Sequence, residues 1–198
     1  PAVKPKTQAD YENRIYQHII PELGHIPLSQ LTQSDLQQFY HHLKQGGRLR
    51  RVEQYSPGLS DRMVKSCHVT CRMALDKAVA DGLILKNPAA NCKVPATHPR
   101  EMSVLTGEEI QRLLIQAKED GCYELLLLEL STGLRRGEIL ALQWDDLDFQ
   151  TGALRVERQV QRIKGELVVS QPKTRTSSRS VILARPILNV LERYRKSC

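Results

Sequence analysis

The sequence predicts an all-α N-terminal bundle followed by an α+β unit with a small three-stranded antiparallel sheet. In the first half of the chain, apolar residues recur at the three- and four-residue spacing of helices. Beyond Trp144 they alternate with polar residues, which is the period of a half-buried strand. Between these patterns, a segment with two prolines starts no helix. We therefore predict two domains, residues 1–94 and 103–198, joined by a linker at residues 95–102.

Three helices are predicted in the N-terminal domain. The first has an apolar stripe and stops near Pro21 and Gly24. The second follows Thr32, because Thr32 with Asp35 three residues later is a capping pattern. The third runs from about Leu59 to Asp81. The predicted buried positions are Tyr11, Ile15, His18 and Ile19 on the first helix, Leu36, Phe39, Tyr40 and Leu43 on the second, and Met63, Cys67, Cys71, Ala74 and Ala78 on the third.

The third helix has a basic stripe opposite its apolar one. Lys65, His68 and Arg72 recur there at helical spacing, flanked by Asp61 and Asp76. Such a face either contacts the phosphates or a groove of DNA, or is the solvated side of a bundle helix. Cys67 and Cys71 lie on the apolar side without a second pair of ligands at zinc-site spacing, so we expect core packing and no metal.

The second domain is predicted to begin with helices and to continue with strands. A capping box at Thr106 and Glu109 starts one helix, and an apolar run from Tyr123 to Leu130 forms a second. Alternation and a Lys164-Gly165 turn then indicate strands. The three predicted strands lie near residues 154–156, 167–169 and 181–183, and a final helix near 186–196.

The composition excludes two classes of protein. The chain has 198 residues, 40% of them hydrophobic, and its apolar stretches fall far short of the roughly 18 residues that span a bilayer. Its five cysteines are odd in number and unevenly spaced, which argues against a disulfide scaffold. No secretory signal is recognised at the N-terminus. We therefore expect a soluble protein of a reducing, cytosolic compartment.

Charge is distributed in three blocks. Residues 1–98 carry 13 basic and 8 acidic side chains, residues 99–149 carry 5 and 11, and residues 150–198 carry 11 and 3. Two basic blocks separated by an acidic one favour a polyanionic partner, with nucleic acid as the first candidate. An RNA-binding module is disfavoured, because aromatic residues make up only 5% of the chain and form no stacking motif.

Arg135 stands at a junction between two predicted helices. Gly133 is expected to end the first, and the next begins at once. A guanidinium there presents paired donors that match two phosphate oxygens and stay charged. Glu138, three residues later, either braces that guanidinium or is an ordinary acid in the first turn of a helix.

A basic, hydroxyl-rich turn follows between two predicted strands. Lys173 can project an amine into a site at the sheet edge and donate a proton to a leaving oxygen. Arg175 and Arg179 cannot donate a proton and suit the role of phosphate clamps.

Taken together, these motifs resemble those of the tyrosine recombinase, or phage integrase, family. The closest resemblance is to integrases of conjugative transposons and temperate phages of Gram-positive bacteria. The segments that carry the resemblance are MALDKAVADGLILKNPA at 73–89, LTGEEIQRLL at 105–114, TGLRRGEILALQWDDLDF at 132–149 and PKTRTSSRSVIL at 172–183.

The resemblance implies a core-binding domain followed by part of a catalytic domain, acting on double-stranded DNA in the bacterial cytoplasm. Arg135 then matches the first catalytic arginine and Lys173 the hairpin lysine proposed as general acid. The implied reaction is a cofactor-free transesterification through a 3′-phosphotyrosyl link, by which a mobile element integrates. It also implies assembly as a dimer or tetramer on DNA.

Several expected family motifs are absent from the sequence. It has no His-x-x-Arg motif and no His after His98, and Tyr194 lies where the nucleophile is not expected. We therefore expect the chain as given to bind DNA weakly and to cleave none, since attack needs an activated nucleophile. The alternative is a non-catalytic DNA-binding regulator that retains the fold.

Further basic residues are candidates for DNA contact. Arg48, Arg50 and Arg51 lie in a glycine-containing loop that either contacts phosphates or is merely solvated. Lys4 and Lys6 belong either to a linker that follows DNA or to a disordered end. On the first strand, Arg155, Arg158 and Arg162 either contact DNA or balance the acidic residues Asp145, Asp146 and Asp148.

Overall fold

The computed structural model describes residues 3–96, 101–171 and 178–197. The chain divides into two compact units, the N-terminal unit Pro1–Glu101 and the C-terminal unit Met102–Cys198. Each has its own hydrophobic core. No helix within the described ranges is both long enough and apolar enough to cross a membrane.

The N-terminal unit begins with three consecutive helical segments. Helix α1 (Pro5–Arg14) leads into a π-helical turn (Ile15–Ile19) and the short helix α2 (Ile20–Leu23). The π-helical turn ends at Ile19, one residue before the Ile20-Pro21 pair. Pro21 has no N–H, and its ring would clash with the carbonyl four residues earlier in a continuous α-helix. The helical segment therefore continues past Pro21 and ends at Gly24, the later of the two predicted end points.

Two longer helices complete the bundle. Helix α3 (Gln33–Gly46) starts at the predicted cap, where Thr32 and Asp35 each accept a hydrogen bond from the other's backbone N–H. Helix α4 (Asp61–Ala80) is capped by the Ser60 hydroxyl. All four predicted core positions of α3 are buried, which confirms that stripe. The core consists of Leu36, Phe39, Tyr40, Leu43, Val64, Cys67, Cys71, Leu75 and Ala89.

Helix α4 buries a wider face than the one predicted. Cys67, Cys71 and Ala78 are buried as predicted. Ala74 is exposed and Met63 only half-buried, whereas Val64, Leu75 and Thr70 are buried. The reason is that α4 packs against α3 on one side and against α1 and the π-helical turn on the other. Packing partners on two sides bury a larger part of the surface of α4 than a single apolar stripe would.

The C-terminal unit starts with three helices. Helix α5 (Gly107–Glu119) is capped by the predicted box of Thr106 and Glu109. It is followed by α6 (Tyr123–Thr132), the short α7 (Arg136–Ile139) and a 3₁₀ turn (Trp144–Asp146). The last helix is α8 (Arg185–Ser197). The core consists of Leu128, Leu134, Ile139, Leu147, Leu154, Val156, Leu183, Leu188 and Leu191.

The strands correct the predicted three-stranded sheet. In the described part of the unit, four strands form two antiparallel pairs. Strands β2 (Gln159–Ile163) and β3 (Glu166–Ser170) form a hairpin, whereas β1 (Ala153–Val156) pairs with β4 (Arg179–Ile182). The chain leaves the ladder after β1, so the last predicted strand joins β1 and not β3. The α+β class is confirmed, and the single three-stranded sheet is wrong.

Candidate nucleic-acid interface

Gly133 ends α6 and places Arg135 at the start of α7. Its φ of 62° is left-handed, a conformation that glycine adopts without strain, and its N–H donates to the Glu129 carbonyl at 2.8 Å. Arg135 is the N-cap of α7 and has extended backbone. The predicted junction is therefore confirmed.

Gly137 allows α7 to lie close to β2. A Cβ atom at this position would sit 2.8 Å from the carbonyl oxygen of Val160. Any side chain would force the two backbones apart, so the glycine allows the short distance between α7 and β2. Sequence reasoning missed this role, because the contact joins residues that are distant along the chain.

Glu138 holds Arg135 by its backbone and by its side chain. One carboxylate oxygen, Oε2, accepts the Arg135 backbone N–H at 2.9 Å, and Oε1 accepts from Arg135 Nη1 at 2.9 Å. The carboxylate is buried, with a side-chain exposure of 3%, whereas the Arg135 side chain is 74% exposed. Glu138 is thus both an acid of the first helical turn and a brace for the guanidinium.

Arg179, the first residue of β4, contacts the same carboxylate. Its Nη2 donates to Oε2 at 2.9 Å and its Nη1 to Oε1 at 3.2 Å, which is the forked geometry of a strong arginine–carboxylate pair. We name Arg135, Glu138 and Arg179 the Glu138 cluster. Sequence reasoning treated Arg179 as a phosphate clamp and missed this ion pair, which depends on the pairing of β4 with β1.

These contacts lower the pKa of the Glu138 carboxyl group below that of an ordinary glutamate. The hydrogen bonds from Arg179 and the opposite charge of that residue, together with the Arg135 hydrogen bonds, lower the pKa of Glu138 to about 2 in spite of its burial. The same pairing raises the pKa of Arg179. The cluster therefore stays ionised at neutral pH.

A second ion pair anchors the turn that precedes the strands. Arg158 Nη2 lies 2.6 Å from both carboxylate oxygens of Asp146, which also accepts the Gln143 backbone N–H at 2.8 Å. Arg155 donates to the carbonyl of Asp145 at 3.2 Å. Of the two alternatives for these arginines, the structure shows Arg155 and Arg158 in contact with the acidic segment.

Two predicted site residues, Lys173 and Arg175, lie outside the described residues. The described chain stops at Gln171 and resumes at Ser178. Their roles therefore stay predictions.

Helix α4 presents a basic face in the N-terminal unit. Lys65 and Arg72 are exposed and lie two helical turns apart on one side. Arg72 Nε is 4.0 Å from Asp76 of the next turn. Arg62, exposed three residues before Lys65, extends this face and was not predicted, although its spacing would have revealed it.

His68 is not part of that exposed face, and its predicted place there is wrong. The residue is only 8% exposed, and its Nδ1 lies 3.1 Å from the Tyr40 hydroxyl. Burial lowers the pKa of His68 and so favours the neutral ring. The side chain packs in the bundle because α4 has neighbours on two sides.

The remaining predicted basic residues are exposed or partly exposed. Arg48 donates from Nε to the Ser56 carbonyl at 2.6 Å and lies over the Tyr55 ring, while Arg50 and Arg51 are exposed. Lys4 is at the N-cap position of α1, and Lys6 lies in the first turn, with its Nζ 2.8 Å from Asp10.

The two cysteines of α4 belong to the hydrophobic core of the N-terminal unit. Cys67 and Cys71 are buried free thiols, and burial raises their pKa values to about 11 and about 12. Across the described ranges, no three His, Cys, Asp or Glu side chains are grouped so that they could hold a metal ion.

Two family models match the chain. The model of the phage integrase N-terminal SAM-like domain matches residues 1–44, and that of the phage integrase family matches residues 103–198. The chain belongs to the phage integrase family. The resemblance inferred from its motifs is thereby confirmed.

Curated relatives of this phage integrase chain are tyrosine recombinases and integrases. A tyrosine recombinase XerC-like protein of Caldanaerobacter subterraneus subsp. tengcongensis is 28% identical over 208 residues, covering 97% of this chain and 50% of that protein. The ICEBs1 integrase of Bacillus subtilis is 28% identical over 196 residues, covering 94% and 49%. The chain spans about half the length of these relatives.

Solved integrase structures share the fold. The Tn1549 transposon integrase in complex with a circular intermediate DNA matches with a TM-score of 0.79 at 22% identity, over 99% of this chain and 61% of that one. A lambda integrase dimer bound to a COC′ core site matches with a TM-score of 0.64 at 23% identity, over 86% and 56%.

We predict that Glu138→Gln reduces the acid sensitivity of the C-terminal unit. The pKa of Glu138 is about 2 in the folded chain against an ordinary value of 4.5. Its charge therefore stabilises the fold above pH 4.5, and this stabilisation, roughly 3 kcal/mol, is lost as the pH falls from there through about 2. Urea unfolding at a series of pH values, followed by fluorescence of Trp144, measures the loss.

The control for this prediction is Glu157→Gln, which removes an exposed carboxylate of the same unit. It should keep the acid dependence of the unchanged chain. An equal fall in the free energy of unfolding between pH 4.5 and 2 for Glu138→Gln and the unchanged chain would show that the cluster does not depress the pKa.

Proposed function

We propose that this chain is part of a site-specific DNA recombinase of a mobile element, which cuts and rejoins duplex DNA through a 3′-phosphotyrosyl intermediate. Membership of the phage integrase family and the two DNA-bound integrase structures of the same fold support this proposal. The observation that carries it is the exposed guanidinium of Arg135, held by a buried carboxylate at the position of the family's arginine motif.

Arg135 is the proposed catalytic arginine of this reaction. A phosphodiester under attack gathers negative charge on its non-bridging oxygens, and a guanidinium fixed in advance stabilises that charge without reorganisation. Because Glu138 contacts one Nη and the backbone N–H, most of the Arg135 side chain still faces outward. Arginine suits this role since it keeps its charge and offers paired planar donors.

Lys173 is proposed as the general acid that protonates the leaving 5′-oxygen. A lysine amine can supply that proton where a guanidinium cannot. The attacking hydroxyl is assigned to a tyrosine of the whole protein, and no tyrosine of this chain is assigned that role.

The basic face of α4 is the proposed DNA-binding surface of the N-terminal unit. Lys65 and Arg72 are exposed at a spacing of two turns, and Arg72 Nε lies 4.0 Å from Asp76. Such residues contribute affinity by releasing counterions from phosphates, which makes binding sensitive to salt. The other proposed contributors are Lys4, Lys6, Arg48, Arg50, Arg51 and Arg175.

Assembly as a dimer or tetramer on DNA in the bacterial cytoplasm is part of the proposal. The lambda integrase of similar fold is a dimer on its core site, and the curated relatives named above come from bacteria.

We predict that Lys65→Ala/Arg72→Ala weakens DNA binding and flattens its salt dependence. Each lost phosphate contact lowers the slope of log K against log salt by about 0.9, so the double variant should lose up to about 1.8. Fluorescence anisotropy of a labelled duplex at several salt concentrations gives both quantities. Thermal stability should change little, because both side chains are exposed.

The matched control is Lys77→Ala/Lys86→Ala, which also removes two exposed positive charges from the N-terminal unit. Its effect on the slope should be less than half as large. If both double variants change the slope equally, binding follows net charge alone and the α4 face is not a specific surface.

We predict that Arg135→Ala impairs the chemical step far more than it impairs DNA binding. In the complete recombinase, strand cleavage should fall about 100- to 1000-fold in a single turnover, since one transition-state donor is lost. DNA affinity of the 198-residue chain should fall less than about threefold, because phosphate contacts are spread over many residues.

Arg136→Ala is the control, because it removes the same charge from the adjacent exposed position. It should leave cleavage within a fewfold of the unchanged enzyme. Full cleavage by Arg135→Ala would remove the catalytic role of that residue.

A further inference from the structure

The Glu138 cluster contains two positive charges and one negative charge. Glu138 gives both oxygens to Arg179 in a forked pair, but only one oxygen to the Arg135 side chain. Its other contact with Arg135 is with the backbone N–H. The carboxylate is therefore shared unequally, and the forked contact goes to the less exposed arginine.

This sharing bears on what Arg135 can bind. An arginine paired with a buried carboxylate on its own forms a neutral unit with little attraction for an anion. With Arg179 added, the three groups carry a net charge of +1. The side chain of Arg135 is 74% exposed and that of Arg179 is 32% exposed, so the outward-facing charge is that of Arg135.

We propose that Arg179 is a positioning residue that offsets the charge of Glu138 and so keeps Arg135 available to a phosphate. This inference rests on the proposed function, in which Arg135 binds the scissile phosphate. Without Arg179, the Glu138 carboxylate would take both donors of the Arg135 fork, which is the geometry that arginine and carboxylate prefer. Arg135 would then be neutralised and drawn toward the protein.

The position of Arg179 supports this role. As the first residue of β4 it pairs with Val156, and Val156 is fully buried in the core of the unit. The backbone of Arg179 is therefore held by a strand, while Glu138 is held by α7. Because Arg179 on β4 also holds the carboxylate, the position of Glu138 does not depend on its contact with Arg135.

The test measures phosphodiester binding at Arg135 itself. Dimethyl phosphate is titrated into the 198-residue chain, and the ¹⁵N-coupled Nε–H signal of Arg135 is followed by NMR. We expect Arg179→Met to weaken binding at least fivefold. We expect Glu138→Gln/Arg179→Met to bind more tightly than Arg179→Met, because the double variant removes the negative charge together with the charge that offsets it.

Two further variants serve as controls. Arg179→Lys keeps the charge and should retain at least half the affinity, whereas Arg162→Met removes an exposed arginine from β2 and should have less than a twofold effect. Trp144 fluorescence reports whether each variant keeps the fold of this unit.

The outcomes separate this inference from the proposed function. If the Arg135 signal responds in the unchanged chain but Arg179→Met binds equally well, or if the double variant binds no better than Arg179→Met, the role of Arg179 is wrong and that of Arg135 stands. If the signal of the unchanged chain does not respond to dimethyl phosphate, the proposed phosphate site at Arg135 fails as well.

Discussion

The buried carboxylate of Glu138 is the interaction on which the candidate site depends. A carboxylate that is 3% exposed is costly to ionise unless its oxygens are satisfied, and here they accept from two guanidinium groups and one backbone N–H. Because the acceptor is fixed and desolvated, its contacts hold the exposed Arg135 at a defined place. The same carboxylate on the surface would be screened by water and would hold an arginine side chain only weakly.

The elements around the cluster serve this arrangement. Gly133 ends α6 in a left-handed conformation, so that Arg135 becomes the cap of α7. Gly137 allows α7 to lie close to β2, and the pairing of β4 with β1 brings Arg179 to the same carboxylate. The two glycines lie close to Glu138 in the sequence, whereas β2 and β4 come from later in the chain. The geometry of the candidate site follows from their convergence and not from any one motif.

Local signals in the sequence predicted much of this structure. The caps at Thr32 and Thr106, the buried stripe of α3 and the break at Gly133 depend on residues within one or two turns, and all are present. The family followed from motifs in order along the chain. These features can be predicted from the sequence because residues close to each other along the chain determine them.

The misplaced features depend on tertiary contacts. His68 is buried because α4 has packing partners on two sides, which its own periodicity does not reveal. The strands pair as β1 with β4 and β2 with β3, because pairing is decided by the core and not by order. For the same reason the partner of Glu138, 41 residues away, was not identified from the sequence.

The most direct measurement of the central claim is a crystal structure of this chain bound to a DNA duplex. The account predicts an Arg135 Nη atom about 3 Å from a phosphate oxygen, with the Arg179 fork still on Glu138 and the carboxylate still buried. An Arg135 side chain that contacts no phosphate, or a Glu138 carboxylate that has left both arginines, would contradict it.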